Sequence, residues 1–139
     1  MPAFVADASV TLSWCFEEER TPATEALLDR LRSGESAIVP THWPVEVMNG
    51  LITAMRRERI APETVVRFVR DLTSLHIRVE QCPLSPEWNA LMQLATKHRL
   101  TAYDAAYLEL AVRNKFRLAT LDNDLRKAAR AEGVALVEM

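Results

Sequence analysis

Phe4-Val5-Ala6-Asp7-Ala8-Ser9 is the stretch of sequence that decides the fold of this chain. A short apolar run that stops at a carboxylate is typical of a buried strand. In an open parallel α/β sheet, ligands bind beyond the carboxyl ends of the strands, where the connections diverge. If residues 4–6 form a central strand, Asp7 lies where that crevice opens, and the hydroxyl group of Ser9 follows two residues later.

Strand and helix signals alternate along the rest of the chain. Further strands are predicted at residues 37–39, 77–79, 116–120 and 134–137. Helices are predicted to begin at N-cap residues or first-turn prolines, namely Ser9, Thr21, Pro44, Pro62, Ser85, Thr101 and Asp122 or Asn123. Such alternation predicts an α/β fold, a three-layer α/β/α sandwich around a parallel sheet of about five strands. No stretch resembles a linker, so residues 1–139 are predicted to form a single domain.

The composition, 49% hydrophobic and 26% charged residues, is that of an ordinary globular protein. No apolar run approaches the roughly 20 residues that span a bilayer, and no signal peptide pattern is visible, so we expect a cytoplasmic protein without a membrane contact. A net charge of -2 excludes a globally basic nucleic-acid binder, although a local basic rim would still bind RNA. Cys15 and Cys82 lack metal-ligand spacing and are predicted to be buried free thiols.

Four acidic residues are predicted to meet at one edge of the sheet. Asp7 and Asp122 follow the first and fourth strands, and Glu46 lies in the first turn of the helix after the second strand. Asp104 lies in the first turn of the helix that runs back from this edge before the fourth strand. Each residue also has a purely structural explanation, because carboxylates cap helices and favour their N-termini.

The predicted cluster of carboxylates has a high electrostatic cost. One like-charge pair at 4 Å costs about 4 kcal/mol at an effective dielectric constant of 20, whereas an acidic residue at a helix N-terminus gains about 0.3–1 kcal/mol. Either the pKa values rise or a cation is bound. Oxygen ligands without His or Cys suit Mg²⁺ or Mn²⁺ and not zinc. Such a site supports hydrolysis of phosphodiesters, with two metals or with one metal and a carboxylate base.

Polar neighbours support this prediction. Ser9 and Thr120 place hydroxyl groups beside Asp7 and Asp122, where they can orient the carboxylates. Asn49 follows Glu46 by three residues and therefore falls on the same helical face.

Together, the motifs resemble those of PIN-domain proteins, most closely the VapC-type ribonuclease toxins of type II toxin–antitoxin pairs. The motifs are VADASV at residues 5–10, PVEVMN at 44–49, LTAYDAAY at 100–107 and ATLDND at 119–124. The resemblance covers essentially the whole chain, in the order and at the spacing of the family. It implies a central parallel sheet of order 3-2-1-4-5 and Mg²⁺- or Mn²⁺-dependent cleavage of RNA that leaves 5′-phosphate and 3′-hydroxyl ends.

The resemblance also implies roles for individual residues and partners. Asp7 and Asp104 match the principal metal ligands, Glu46 matches the second acidic residue and Asp122 the fourth, with Asp124 as an auxiliary. A homodimer is implied, as is a small VapB-type antitoxin whose peptide inserts near the site. The antitoxin, and not this chain, would bind operator DNA.

Two other functions stay open. A non-catalytic PIN scaffold that binds RNA or protein would be expected to have lost an acidic residue, and all four are present. A phosphatase of the haloacid-dehalogenase type also uses a strand-end Asp with Mg²⁺. That family needs a second Asp where this chain has Ser9, and it needs a suitably placed Lys.

Several aromatic and basic residues are predicted to be structural. Trp14 and Trp43 are predicted to pack in the core. The alternatives are a contact with the antitoxin or, for Trp14, a dimer contact and, for Trp43, stacking on an RNA base. Arg56, Arg57 and Arg59 are predicted to form a solvated face, with an RNA contact as the alternative.

Overall fold

A parallel sheet lies at the centre of the computed structural model, which describes residues 3–139. Within these residues the sheet has four strands: β1 (Ala3–Ala6), β2 (Ser36–Pro40), β3 (Ile77–Glu80) and β4 (Arg117–Ala119). Their order is β3-β2-β1-β4, and all neighbouring strands are parallel. The predicted α/β fold with a central parallel sheet is confirmed.

The predicted fifth strand is reduced to a single parallel bridge between Leu118 and Leu136. The Leu118 N–H donates to the Ala135 carbonyl oxygen at 3.0 Å, and the Val137 N–H donates to the Leu118 carbonyl oxygen at 2.9 Å. The segment therefore runs beside β4, where the order 3-2-1-4-5 places a fifth strand. Because β4 is itself only three residues long, shorter than the predicted 116–120, it offers little length for a full ladder.

Helices alternate with the strands along the chain and complete the fold of residues 3–139. They are α1 (Ala8–Ser13), α2 (Pro22–Arg32), α3 (Trp43–Arg56), α4 (Pro62–Thr73), α5 (Pro86–His98), α6 (Ala102–Asn114) and α7 (Asn123–Ala131), with a 3-10 turn at Glu17–Glu19. None of the helices in this part of the chain combines the length and apolar character that a membrane span needs.

The helix starts follow the predicted caps with one exception. The side chains of Thr21, Thr101 and Asp122 accept hydrogen bonds from backbone N–H groups in the first turns of α2, α6 and α7. The prediction that Ser9 caps the first helix was wrong. Asp7 caps α1 by accepting from the Val10 N–H at 3.1 Å, so the helix begins at Ala8 and occupies Ala8–Ser13.

Both predicted core tryptophans are buried. The Trp14 Nε1 donates to the Thr24 carbonyl oxygen at 2.8 Å, and the Trp43 Nε1 lies 3.3 Å from the Thr11 hydroxyl group. Their exposed fractions are 2% and 7%, so the core prediction is confirmed and neither indole offers a face for stacking. Cys15 and Cys82 are free thiols as predicted, but they are partly and not fully buried.

The buried face of α3 does not include all of its apolar residues. Val45 is 73% exposed and Met48 is 38% exposed, whereas Trp43, Val47 and Leu51 form the buried face. Glu46 lies beside this face and points to the edge of the sheet. One turn later, Gly50 lies against α1, since a Cβ atom there would be 2.6 Å from the Leu12 Cδ1 atom.

Candidate active site at the carboxyl edge of the sheet

Asp7 is a nearly buried carboxylate that ends β1 and caps α1. The Ser9 hydroxyl group donates to its Oδ1 atom at 2.6 Å, the Val10 N–H donates to the same atom, and the Thr120 hydroxyl group donates to Oδ2. Burial raises the pKa of Asp7 to about 6, and the charge of Glu46 adds to the rise. The desolvation of this carboxylate therefore outweighs the hydrogen bonds that favour its charged form.

Ser9 and Thr120 join the ends of β1 and β4 through Asp7. The Thr120 hydroxyl group is fully buried and accepts from the Asp122 N–H at 3.0 Å while it donates to Asp7. The Ser9 hydroxyl group accepts from the Leu121 N–H at 3.1 Å. The structure places both hydroxyl groups beside Asp7, where they fix the orientation of its carboxylate.

Glu46 lies in the first turn of α3 next to two side chains, one of which holds it by a hydrogen bond. The Tyr107 hydroxyl group, from α6, donates to the Glu46 Oε1 atom at 2.5 Å. The His42 Nε2 atom lies 3.8 Å from the same oxygen. Burial raises the pKa of Tyr107 far above its usual range, and the bond to Glu46 raises it further. Tyr107 therefore keeps its proton and acts as a hydrogen-bond donor.

Asp104 and Asp122 complete the acidic edge. Asp104 lies in the first turn of α6, and its pKa is raised first by burial and then by the charges of Asp122 and Glu46. Asp122 is exposed, and its Oδ1 atom accepts from the Leu125 N–H at 2.8 Å. Asp7 is thus coupled to Glu46, and Asp104 is coupled to both Glu46 and Asp122, so the carboxylates are linked in pairs along the edge.

The other two predicted site residues lie at the periphery. Asn49 is exposed three residues after Glu46 on α3, and Asp124 is exposed in the first turn of α7. Within residues 3–139 neither side chain has a hydrogen bond to the four carboxylates. Their supporting roles stay predictions.

The donor set fits a hard divalent cation in its chemistry, because the four side chains offer only oxygen atoms. In the described part of the chain, however, no three His, Cys, Asp or Glu side chains form a group that could hold a metal ion as they stand. The carboxylates of Asp7, Glu46 and Asp122 are instead turned to donors of their own chain. To share one cation, the carboxylates would have to lie closer together than they do here. A cation would also lower the raised pKa values of the site.

Sequence reasoning missed three aromatic residues at this edge. The His42 ring contacts the edges of Tyr103 and Tyr107, with ring centroids 5.4 and 5.2 Å apart. Tyr107 follows Asp104 by three residues and therefore shares its helical face. The same spacing singled out Asn49 after Glu46, so this signal was present in the sequence.

Comparisons with known proteins agree with the fold. The PIN domain family matches residues 4–131. Ribonuclease VapC12 of Mycobacterium tuberculosis is 34% identical over 108 residues, which cover 78% of this chain and 80% of that protein.

Two solved structures show the same fold. PAE2754 from Pyrobaculum aerophilum has a TM-score of 0.73 at 20% identity, covering 98% of this chain and 84% of that chain. The structure of VapBC2 from Rickettsia felis, bound to a DNA fragment from their promoter, has a TM-score of 0.67 at 11% identity over 96% of each chain. The family match spans nearly all of the sequence, and the relative that is 34% identical covers most of it. This chain therefore belongs to the PIN-domain family and, within it, to the VapC type.

Proposed function

We propose that this chain is an endoribonuclease toxin that hydrolyses RNA phosphodiester bonds with Mg²⁺ or Mn²⁺. The observation that carries the proposal is the set of four electrostatically coupled carboxylates at one sheet edge, with the pKa of Asp7 raised to about 6 and that of Asp104 also raised. The likeness to a protein named a ribonuclease, at 34% identity, supports RNA as the substrate.

We assign the metal-holding roles to Asp7, Asp104, Glu46 and Asp122. When bound, a divalent cation would supply Lewis-acid activation of the attacking water and stabilise the charge on the phosphodiester. Asp7 is preorganised for this role, because three donors fix its carboxylate and burial keeps bulk water away. Preorganised charges stabilise a transition state more effectively than charges that must reorient.

Glu46 has a different environment and therefore a second proposed task beside holding the metal. Its side chain is 38% exposed, and Tyr107 holds its Oε1 atom. The Oε2 atom is left to accept a hydrogen bond from the attacking water. Glu46 would in this way orient the water toward the phosphorus atom while Tyr107 keeps the carboxylate from rotating freely.

The partners follow from the same proposal. A VapB-type antitoxin would neutralise the enzyme, and operator DNA would be bound through the antitoxin. The solved VapBC2 structure on promoter DNA supports this arrangement. We further propose a homodimer that acts in the cytoplasm, where its RNA substrate is found.

A non-catalytic PIN scaffold is the second candidate. It is favoured by one observation, the lack of a three-ligand metal group among residues 3–139. The haloacid-dehalogenase alternative has lost its support, because the chain belongs to the PIN-domain family.

The test is cleavage of a total RNA pool by antitoxin-free protein, with Mn²⁺ or with EDTA. We expect discrete cuts with Mn²⁺ that EDTA abolishes and that Asp7→Asn or Asp104→Asn reduces at least a hundredfold. Asp29→Asn is the matched control, because Asp29 is an exposed residue of α2 that pairs with the exposed Arg32 at 3.5 Å. Metal-independent cutting, or equal cutting by Asp7→Asn, would contradict the proposal.

A further inference from the structure

Tyr103 is an exposed aromatic side chain directly beside Asp104. It is 64% exposed. Its ring is nevertheless held in place, because the His42 ring contacts it with centroids 5.4 Å apart and planes at 62°. His42 in turn contacts Tyr107, which binds Glu46. The Tyr103 ring is thus fixed relative to two carboxylates of the site.

A cavity of about 180 Å³ opens beside this ring. Its lining is mostly apolar and includes His42, Tyr103, Ala102 and Ala106. The lining also includes Glu80, Cys82, Glu109 and Arg113. The cavity therefore joins an aromatic surface to hydrogen-bonding groups next to the acidic edge.

The charged side chains of the cavity restrict the kind of chemical group that it can bind. The Arg113 guanidinium group is already engaged, because its Nε atom donates to Glu109 at 2.9 Å and its Nη2 atom lies 3.7 Å from Glu80. Two carboxylates thus face one guanidinium group, and the pocket repels a phosphate group. A neutral planar group with hydrogen-bonding edges fits a mainly apolar lining that carries a few charged side chains.

We propose that Tyr103 and the adjoining cavity bind a base of the RNA substrate next to the phosphodiester that is cut. The proposal rests on the proposed ribonuclease function and adds the group that positions the strand. Bases stack on aromatic side chains in many single-stranded RNA sites, and such stacking tolerates different bases. The base would lie on the exposed face of Tyr103, and His42 would keep the ring from turning away.

Stacking on Tyr103 acts on binding and not on the chemical step. Loss of the ring should therefore raise KM more than it lowers kcat, because a contact made equally in the ground state and the transition state leaves kcat unchanged. We expect Tyr103→Ala to weaken RNA binding about tenfold, and Tyr103→Phe and Tyr103→Trp to restore it to within about twofold.

The first measurement uses the Asp7→Asn protein, which keeps RNA intact. It is irradiated with a short single-stranded RNA pool of random sequence that carries 5-iodouridine, a base analogue that crosslinks to stacked aromatic rings. We expect mass spectrometry to find the crosslink on Tyr103. The matched control is Trp88→Ala, because Trp88 is an aromatic residue of α5 that is 56% exposed and outside the cavity lining. This control should leave affinity and crosslink unchanged.

The second measurement separates this inference from the function on which it rests. Wild-type protein and Tyr103→Ala are compared in RNA cleavage and in Mn²⁺ titration. A raised KM with unchanged Mn²⁺ affinity supports the base site. The base site alone is overturned if the wild-type protein cleaves RNA, Tyr103→Ala has an unchanged KM and no crosslink forms on Tyr103. That result would point to a protein partner for Tyr103. A wild-type protein that binds but never cuts RNA overturns the proposed function, while the crosslink still decides the base site.

Discussion

The Tyr107 hydroxyl group donates a hydrogen bond to the Glu46 Oε1 atom across 2.5 Å and so ties α6 to α3 at the carboxyl edge of the sheet. Tyr107 is 1% exposed and Asp104 lies one turn before it on α6, so a single helix carries one carboxylate and the donor that restrains another. We expect Tyr107→Phe to lower kcat about tenfold and to reduce the free energy of unfolding by about 1 kcal/mol, because Glu46 is partly solvated and loses only one bond.

The measurement for Tyr107→Phe is RNA cleavage at saturating substrate, together with urea unfolding. Phe68→Leu is a suitable control, because it changes a partly buried aromatic residue of α4 that does not contact the acidic edge. An unchanged kcat in Tyr107→Phe would show that the hydroxyl group does not position Glu46 for the reaction.

The raised pKa of Asp7, about 6, predicts a pH-dependent stability. The folded protein holds the Asp7 proton to a higher pH than the unfolded chain, so this residue destabilises the metal-free fold as the pH rises from about 4 to about 6. We expect Asp7→Asn in EDTA to be more stable than wild type by about 1–3 kcal/mol at neutral pH, and this difference to shrink toward pH 4.

Urea unfolding across this pH range tests the Asp7 prediction. Asp29→Asn should show no such pH-dependent difference, because Asp29 is exposed on α2. A difference between Asp7→Asn and wild type that stays constant with pH would mean that Asp7 is charged in the folded protein throughout the range.

Thr120 connects two acidic residues, and its hydroxyl group is fully buried. Thr120→Val removes the donor to Asp7 and the acceptor for the Asp122 N–H. We expect a loss of about 1–3 kcal/mol, since the buried Asp7 carboxylate and the partly buried Asp122 N–H each lose a partner. We also expect a further rise of the Asp7 pKa, because the Thr120 bond lowers it.

Thermal and urea unfolding, with carboxyl NMR titration of Asp7, check the Thr120 prediction. Thr120→Ser should have the stability and the Asp7 pKa of the wild-type protein. Thr73→Val, at an exposed position of α4, should change stability by less than about 0.5 kcal/mol. If Thr120→Val were as stable as the wild-type protein, the Thr120 hydroxyl group would not stabilise the fold through Asp7 and Asp122.

Glu109 is a buried carboxylate of α6 whose partner is Arg113 at 2.9 Å. Glu109→Ala removes the nearest carboxylate from the partly buried Arg113 guanidinium group. We therefore expect the free energy of unfolding, measured in urea, to fall by about 2–4 kcal/mol. Glu25→Ala breaks an exposed pair with Arg20 at 3.6 Å and should cost less than about 1 kcal/mol. Equal losses of stability in the two variants would show that the buried pair stabilises the fold no more than the exposed pair does.

Much of the fold followed from local signals that a sequence displays directly. Apolar runs marked β1 and β2, and capping residues such as Thr21 and Thr101 marked helix starts. The position of the fifth strand was also right, but its length was not. A ladder of hydrogen bonds needs two strands of sufficient length. The length of β4, three residues, depends on packing that local sequence propensity does not describe.

The positions of the four carboxylates were predictable because parallel topology brings strand ends to one edge. Their hydrogen-bond partners were not. Tyr107 has helical spacing that fits an ordinary core residue, and only the packing of α6 against α3 shows that its hydroxyl group meets Glu46. In the same way, Asp7 and Ser9 are both good caps, and the geometry of the β1 end decided for Asp7.

The central claim is that the four carboxylates form one divalent-metal site, and calorimetric titration of the antitoxin-free protein with Mn²⁺ at pH 6 tests it most directly. A shared site predicts saturable binding that releases protons, because the pKa of Asp7 is raised to about 6 and this carboxyl must ionise to bind the metal. It further predicts that Asp7→Asn/Asp104→Asn abolishes this binding and that Asp29→Asn/Asp71→Asn preserves it. Absence of saturable binding to wild type, or equal binding by the Asp7→Asn/Asp104→Asn protein, would contradict the account.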